Sequence, residues 1–422
     1  RWSPGPPRPP PRRGGGLLSG VTALLLALPM SPAAAQTLAV THAEAWTMES
    51  GEPVKDATIL IENGRIVSVT PGGGVPQGAS VIDARGKPVT PGLMNGATQV
   101  GLVETASADT RDQGSADDRN PGFDPSRALN GNSTLVGLIR ADGITRALVY
   151  PAPSRIPVFA GEPVIARFRD GVDILGEREV AVYAVIGGGA WERVGSRAQQ
   201  WAVLRKALSD AKRAALARDA EDGKKRDRHG LPQGRGRRAG EELIRGVIAG
   251  ETPLAIHTNR ESDIREAIGL ASEFGIRVII VEGAQAWRVA DALAAAKIPV
   301  VLDPSTNLPG GFDELGARQD NAAILTRAGV KVAFGLAGGK IHTNYNAGLA
   351  LREGAGIAVA NGLPYADALR AVTVNPLSIW SKGGGTLAPG SDADLVVWDG
   401  DPLEPSTNAT AVIVEGRQVS AR

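Results

Sequence analysis

The chain contains no cysteine, and that absence alone excludes thiolate metal sites, thiol nucleophiles and disulfides. Histidine is scarce, with four in 422 residues: His42, His229, His257 and His342. Any site built from several imidazoles must therefore draw on very few positions. Net charge is almost lacking too, since 46 basic side chains face 45 acidic ones and leave +1. That balance gives no electrostatic reason to expect nucleic acid or an anionic membrane as partner. No Gly-x-x-x-x-Gly-Lys-Ser/Thr loop or Gly-x-Ser-x-Gly elbow is present. The glycine runs Gly187-Gly188-Gly189 and Gly383-Gly384-Gly385 read as turns.

Long apolar runs are missing as well. The longest, Leu17 to Met30, is 14 residues, short of the roughly 20 that span a bilayer. It follows Arg12-Arg13 and precedes Ser31-Pro32-Ala33-Ala34-Ala35. A positive start, a short apolar core and small residues at an Ala-x-Ala site describe a secretory signal. Cleavage is expected between Ala35 and Gln36, giving an exported, periplasmic protein with no remaining membrane span. Residues 1–15 are Pro, Arg and Gly with little to bury, and disorder is expected there.

What is present is patterned. Thr58 to Glu62 and Arg65 to Val69 flank Asn63-Gly64, whose two residues accept the positive φ of a tight hairpin. Val412 to Glu415, Gly416-Arg417 and Gln418-Val419 repeat that signal near the other end, after a strand at Ala393 to Trp398. The two β-rich ends are expected to meet in one small sandwich. Between them, Pro253 to His257, Ile276 to Val281, Ile298 to Leu302 and Val330 to Phe334 are short continuous apolar runs, as in strands buried on both faces. Helical patterns separate them. One is capped by Ser262, with Ile264, Ala267, Ile268 and Ala271 on one face. Later helices start at Pro364 and at Asn375-Pro376. Repeated βα units imply a parallel sheet, read as an α/β barrel, with a doubly wound sheet as the alternative. Residues 212–238 carry ten Lys/Arg against four Asp/Glu and read as a helix end with a solvated insertion.

Three stretches make the chain resemble the amidohydrolase superfamily, near exported proteins related to imidazolonepropionase. They are Val81 to Lys87 with Pro91-Gly92-Leu93-Met94-Asn95, then Pro253 to His257, then Asn361 to Pro364 with Ala368 to Pro376 and Gly385 to Trp398. The resemblance implies a TIM-like (β/α)8 barrel plus a small β-sandwich built from both chain ends. The expected division is leader 1–35, sandwich 36–90, barrel 91–384 and sandwich 385–422. It implies hydrolysis of carbon–nitrogen bonds in a small amide or cyclic amide, at the C-terminal ends of the barrel strands.

The family's usual metal centre does not carry over. Its His-x-His positions hold Ala97 and Gln99, the strand Glu179 to Ile186 has no Lys for a bridging carbamate, and Leu336-Ala337 stands where the catalytic Asp is expected. His257 matches the strand-five ligand, and Glu282 falls near the strand-six His position. No metal is firmly implied. Zinc, held by His257 with Glu282 or Asp303 and His342, is the cofactor these residues leave open. His257 and Glu282 are the candidate catalytic groups. Gln99, Asp303, His342, Asn344 and Asn346 are the candidate substrate-binding groups. The alternative is a non-catalytic periplasmic binding or interaction protein on the same scaffold. A homodimer is left open.

Overall fold

Asn63 and Gly64 adopt φ of 51° and 78°, so the two-residue hairpin forms where the sequence places it. It joins β2 (Val54–Glu62) to β3 (Arg65–Pro71). Before them runs β1 (Thr37–Ala45), and β4 (Ser80–Asp83) and β5 (Pro88–Pro91) follow. β1 pairs antiparallel with β2 and parallel with β4 and β5. The computed structural model describes residues 37–104, 121–151, 158–188, 195–222, 235–306, 308–336, 346–381 and 383–419. The expected leader and residues 223–234 of the basic stretch lie outside the described residues. No described helix is long and apolar enough to cross a membrane.

The barrel wall starts with β6 (Leu93–Thr98), and β7 (Ile144–Val149) lies parallel beside it. The chain then descends through β8 (Phe159–Gly161) and β9 (Val164–Arg167), and β10 (Leu175–Glu177) folds back on β9. β9 pairs antiparallel with β7, and β8 pairs antiparallel with β11 (Val182–Val185). One wall therefore runs against the βα repeat, bent between its halves at Glu162-Pro163. From β11 the order is parallel through β12 (Leu254–Thr258), β13 (Val278–Glu282), β14 (Val300–Leu302) and β15 (Val332–Phe334). β15 comes back against β6. The Leu336 amide donates to Asn95 Oδ1 at 3.1 Å, and a Cβ on Gly96 would stand 2.7 Å from the Phe334 carbonyl oxygen. Only glycine permits that approach.

Alternation along each strand sorts its side chains. Leu254, Ile256, Val278, Ile280, Val300 and Leu302 face outward, in one core with Ile264, Ala267 and Leu270 of the helix Glu261–Phe274. Ala255, Ile279, Val281, Val301 and Ala333 face inward and share a second core with Met94, Ala97, Tyr150 and Tyr183. The helix expected from a Ser262 cap starts at Glu261 instead, because Gln285 Oε1 accepts the Glu261 amide at 3.0 Å and supplies the cap from another loop. Asn375 is likewise not a cap. It lies within the helix Val374–Trp380, and its amide donates to the Val332 carbonyl at 2.7 Å, tying that helix to β15.

The chain ends with β16 (Leu395–Trp398), β17 (Ala409–Val414) and β18 (Arg417–Gln418). They complete one eight-stranded sheet with β1–β5, in the order β18-β17-β16-β5-β1-β2-β3, with β4 also paired to β1. Asp394, 7% exposed, fixes this sheet to the barrel. Its carboxylate accepts from Arg146 Nε at 2.7 Å, from both Arg167 Nε and Nη2, and from the Glu415 amide. Arg146 also reaches Asp392 at 2.6 Å. Removing Asp394 would leave two largely buried guanidiniums short of their partner. Asp394→Ala is expected to cost about 3–5 kcal/mol, measured by urea unfolding. A loss under about 1 kcal/mol, the range of an exposed pair, would show that the cluster is not what joins the two parts.

Candidate active site

Period two carries the inward set of β12 from Ala255 to His257, and that of β14 from Val301 to Asp303 just past its end. β7 does the same from Leu148 to Tyr150. His257, Asp303 and Tyr150 thus rise in one layer at the C-terminal ends of their strands, the end where barrel enzymes carry their sites. Glu282 breaks the rule. Ile279 and Val281 face inward, so alternation would turn Glu282 outward. Its backbone instead takes φ 71°, followed by Gly283 at φ 64°. A left-handed non-glycine residue is uncommon and costs of order 1–3 kcal/mol. Here it brings the carboxylate back to the layer, where Glu282 Oε2 lies 3.2 Å from His257 Nε2.

Asn259 holds that arrangement. Its amide donates to Glu282 Oε2 at 2.5 Å, its side-chain oxygen accepts from the Ala284 amide at 2.9 Å, and its carbonyl accepts from the Gln285 amide at 3.0 Å. On the other side of the imidazole, the Tyr183 hydroxyl lies 3.1 Å from His257 Nδ1. The Tyr183 ring stacks on Tyr150, with centroids 5.0 Å apart. Asp303, 8% exposed, accepts from the Ser305 amide at 2.8 Å and hydroxyl at 2.5 Å. Burial pushes the Asp303 carboxyl above its ordinary range against those two hydrogen bonds, and the Glu282 charge adds to the rise. For His257 burial opposes the imidazolium, yet the neighbouring Glu282 outweighs it and the imidazole's affinity for a proton is raised. Burial and the same carboxylates lift Tyr150 well above the usual phenol range, and burial with Tyr150 and Glu282 lifts Tyr183.

The loop after β14 crosses the mouth. Asp313 accepts from the Gly188 amide at 2.7 Å and pairs with Arg197 and Arg260, while its carbonyl accepts from Gln285. Those partners belong to the loops after β11, β12 and β13. Leu308, Phe312 and Leu315 of the same segment are exposed, and Phe312 and Leu315 line a cleft of about 430 Å³ with Arg260 and Arg265.

Of the candidates read from sequence, His257 and Glu282 are in contact, and Asp303 is close enough for its charge to act on both. Gln99 is half-buried just past β6, with its carbonyl accepting from the Leu102 and Val103 amides. Asn346 is exposed at the start of the helix Ala347–Ala360 and makes no side-chain cap. No described contact joins either to the pair. His342 and Asn344 lie outside the described residues. Tyr183, Tyr150 and Asn259 escaped the sequence reading. Tyr183 and Tyr150 look like core aromatics there, and only the period-two count toward His257 could have picked them out.

Ala97 has no donor atom, and both ring nitrogens of His257 are engaged by protein groups. Among the described residues no group of three or more His, Asp and Glu side chains could hold an ion. The described donors do not fit the usual two-metal centre, and no chemical step is derived through one.

Residues 251–419 match the sequence profile of the Amidohydrolase family. Over that stretch the chain is similar to that family. Structures agree in fold with that likeness. An amidohydrolase from Thermotoga maritima is 22% identical, with a TM-score of 0.80 over 90% of this chain and 99% of its own. A zinc-bound adenosine deaminase from Xanthomonas campestris is 18% identical, with a TM-score of 0.51 over 91% and 93%. A prolidase complexed with N-methylphosphonate-L-proline is 18% identical, with a TM-score of 0.53 over 91% and 99%. No curated protein matches the chain. A barrel built from α/β units with a second, two-ended β-sheet, the fold of these structures, thus frames the His257–Glu282 pair.

The pair has a pH signature. The folded imidazole binds its proton more tightly than the unfolded chain does. The stability it contributes is therefore fully present below the ordinary histidine value of 6.5 and lost as pH rises through the raised one. In Glu282→Gln the attraction is gone, so the stability gap to the parent should be largest from about pH 5 to 6.5 and shrink above it. Urea unfolding across a pH series measures this. A gap that widens with rising pH would mean that the two groups do not interact as ion partners.

Proposed function

We propose that the chain hydrolyses a carbon–nitrogen bond in a small amide or cyclic amide, with Glu282 as general base and His257 as general acid. The observation that carries this reading is the 3.2 Å contact between His257 Nε2 and Glu282 Oε2 at the open end of the barrel. It is maintained by a left-handed backbone at Glu282, and strain of that kind concentrates at functional sites. The family match over residues 251–419 supports the reaction class, and the similar structures named above include an amidohydrolase, a prolidase and a deaminase.

The proton count closes within the pair. A water gives its proton to Glu282 as its oxygen bonds to the carbonyl carbon. His257, whose affinity for a proton is raised beside Glu282, donates its Nε2 proton to the departing nitrogen as the carbon–nitrogen bond breaks. Glu282 then returns its proton to Nε2 across the same short contact, which resets both groups. Asp303, in the same layer, is positioned to bind a polar substituent of the substrate, and Gln99 and Asn346 remain substrate-binding candidates at the mouth. The imidazolium supplies part of the positive charge that the family normally draws from metals.

A second reading has one observation in its favour. The described residues form no three-ligand cluster, and a barrel without strong water activation suits a periplasmic protein that binds its small molecule and leaves it intact.

A panel of N-acyl amino acids and dihydropyrimidines, followed by release of amine or ring opening, separates the two. His257→Asn should lower turnover by at least about a hundredfold in protein that circular dichroism shows to be folded. Tight binding of a panel member with no turnover in either protein would favour the binding reading. Full turnover in His257→Asn would remove His257 from the chemistry.

A further inference from the structure

Tyr183 occupies a position where phenylalanine would fill the same volume. The side chain is fully buried inside the barrel, stacked on Tyr150 at an interplanar angle of 13° and set edge-on to His257 at 76°. A buried phenol hydroxyl is unfavourable unless it is hydrogen-bonded. Its partner here is His257 Nδ1 at 3.1 Å. In the β11–β12 register Tyr183 lies opposite Ala255, one inward step below His257. The length of the tyrosine ring carries the hydroxyl up to the imidazole.

The two ring nitrogens are thus held from opposite sides, Nδ1 by Tyr183 and Nε2 by Glu282. If the imidazole turned over about its Cβ–Cγ bond, the nitrogens and ring carbons would exchange places and both contacts would be lost. The phenol can serve Nδ1 in either protonation state, because a hydroxyl both donates and accepts. It accepts from Nδ1–H when the ring is an imidazolium and donates when Nδ1 carries a bare lone pair. Its own proton is hard to remove in so apolar a place, so it remains a hydroxyl throughout.

We propose that Tyr183 is a positioning residue that pins His257 through Nδ1, so that Nε2 is the ring nitrogen presented to Glu282 and the substrate. The catalytic half of this proposal rests on the function proposed above; the pinning half does not. Nothing in the family-matching stretches of the sequence marks the tyrosine, and its partner strand enters from a different part of the chain.

The test is Tyr183→Phe, read first by nitrogen NMR of histidine-labelled protein. With four histidines in the chain, the His257 signals are assigned by their disappearance in His257→Asn. At a pH above the His257 transition, the parent should show Nδ1 as a hydrogen-bonded acceptor. In Tyr183→Phe that resonance should move downfield toward an unbonded ring nitrogen, while Nε2 stays close to its parent position. On any panel compound that is turned over, kcat should fall roughly tenfold to a hundredfold with KM changed little, the pattern of a group acting through the transition state. The parent spectrum decides the pinning even where the variant folds poorly, since an unbonded Nδ1 in the parent overturns it. A shift in Tyr183→Phe alongside full activity in His257→Asn would keep the pinning and remove the catalytic reading. Unmoved His257 nitrogens in a folded Tyr183→Phe would reduce Tyr183 to core packing.

Discussion

A strand offers only every second side chain to the inside of a barrel, and the pocket of this protein is built within that constraint. Tyr150, Tyr183, His257 and Asp303 all have inward parity on their strands, so tight packing of the inner core places their polar ends together without further devices. Glu282 has the wrong parity and is corrected by a left-handed residue. That single departure turns a lone histidine into a contacting acid–base pair. Asn259 reinforces the correction by bonding the carboxylate and the backbone just beyond it.

The constraint extends to the rest of the barrel. Small inward residues such as Ala97, Ala255 and Ala333 leave room for the two stacked tyrosines, while the outward residues carry the larger aliphatic side chains that hold the helices. Sites at the open end need a rigid floor, and the second sheet supplies one at the opposite end. It draws strands from both ends of the chain, and Asp394 sits between Arg146 and Arg167 of the barrel wall. Arg352, fully buried, adds three hydrogen bonds to the carbonyls of Pro402, Glu404 and Thr407 and lies over Trp398. Such charges are tolerated in the interior because every one of them is paired or bonded.

The electrostatics of the mouth follow from the same packing. Burial works against charge on Asp303, Tyr150, Tyr183 and His257 alike. His257 has the Glu282 carboxylate in direct contact, and there the attraction outweighs burial. Two carboxyl groups in one chamber are thereby separated in character, one held as the partner of an imidazolium and the other biased toward its neutral form.

Much of this was written in local pattern. The hairpin at Asn63-Gly64, the terminal turn at Glu415-Gly416 and the apolar runs of β12 to β15 depend on backbone preference and on burial of consecutive residues, and these act over a few positions. The likeness of Pro253 to His257 to a family strand, within the matched residues 251–419, was legible for the same reason. The antiparallel wall at β8 and β9 was not, because its direction is set by pairing with β7 and β11 and not by neighbouring residues. Nor were the caps at Ser262 and Asn375, where a side chain from another loop or a bond to β15 displaced the local signal. The sequence by itself determined the strands, the two-ended sheet and which chemical groups were available. Only the tertiary structure decided that Tyr183, His257, Asn259 and Glu282 meet, because that depends on parity around a ring and on one backbone angle that neighbouring residues do not dictate.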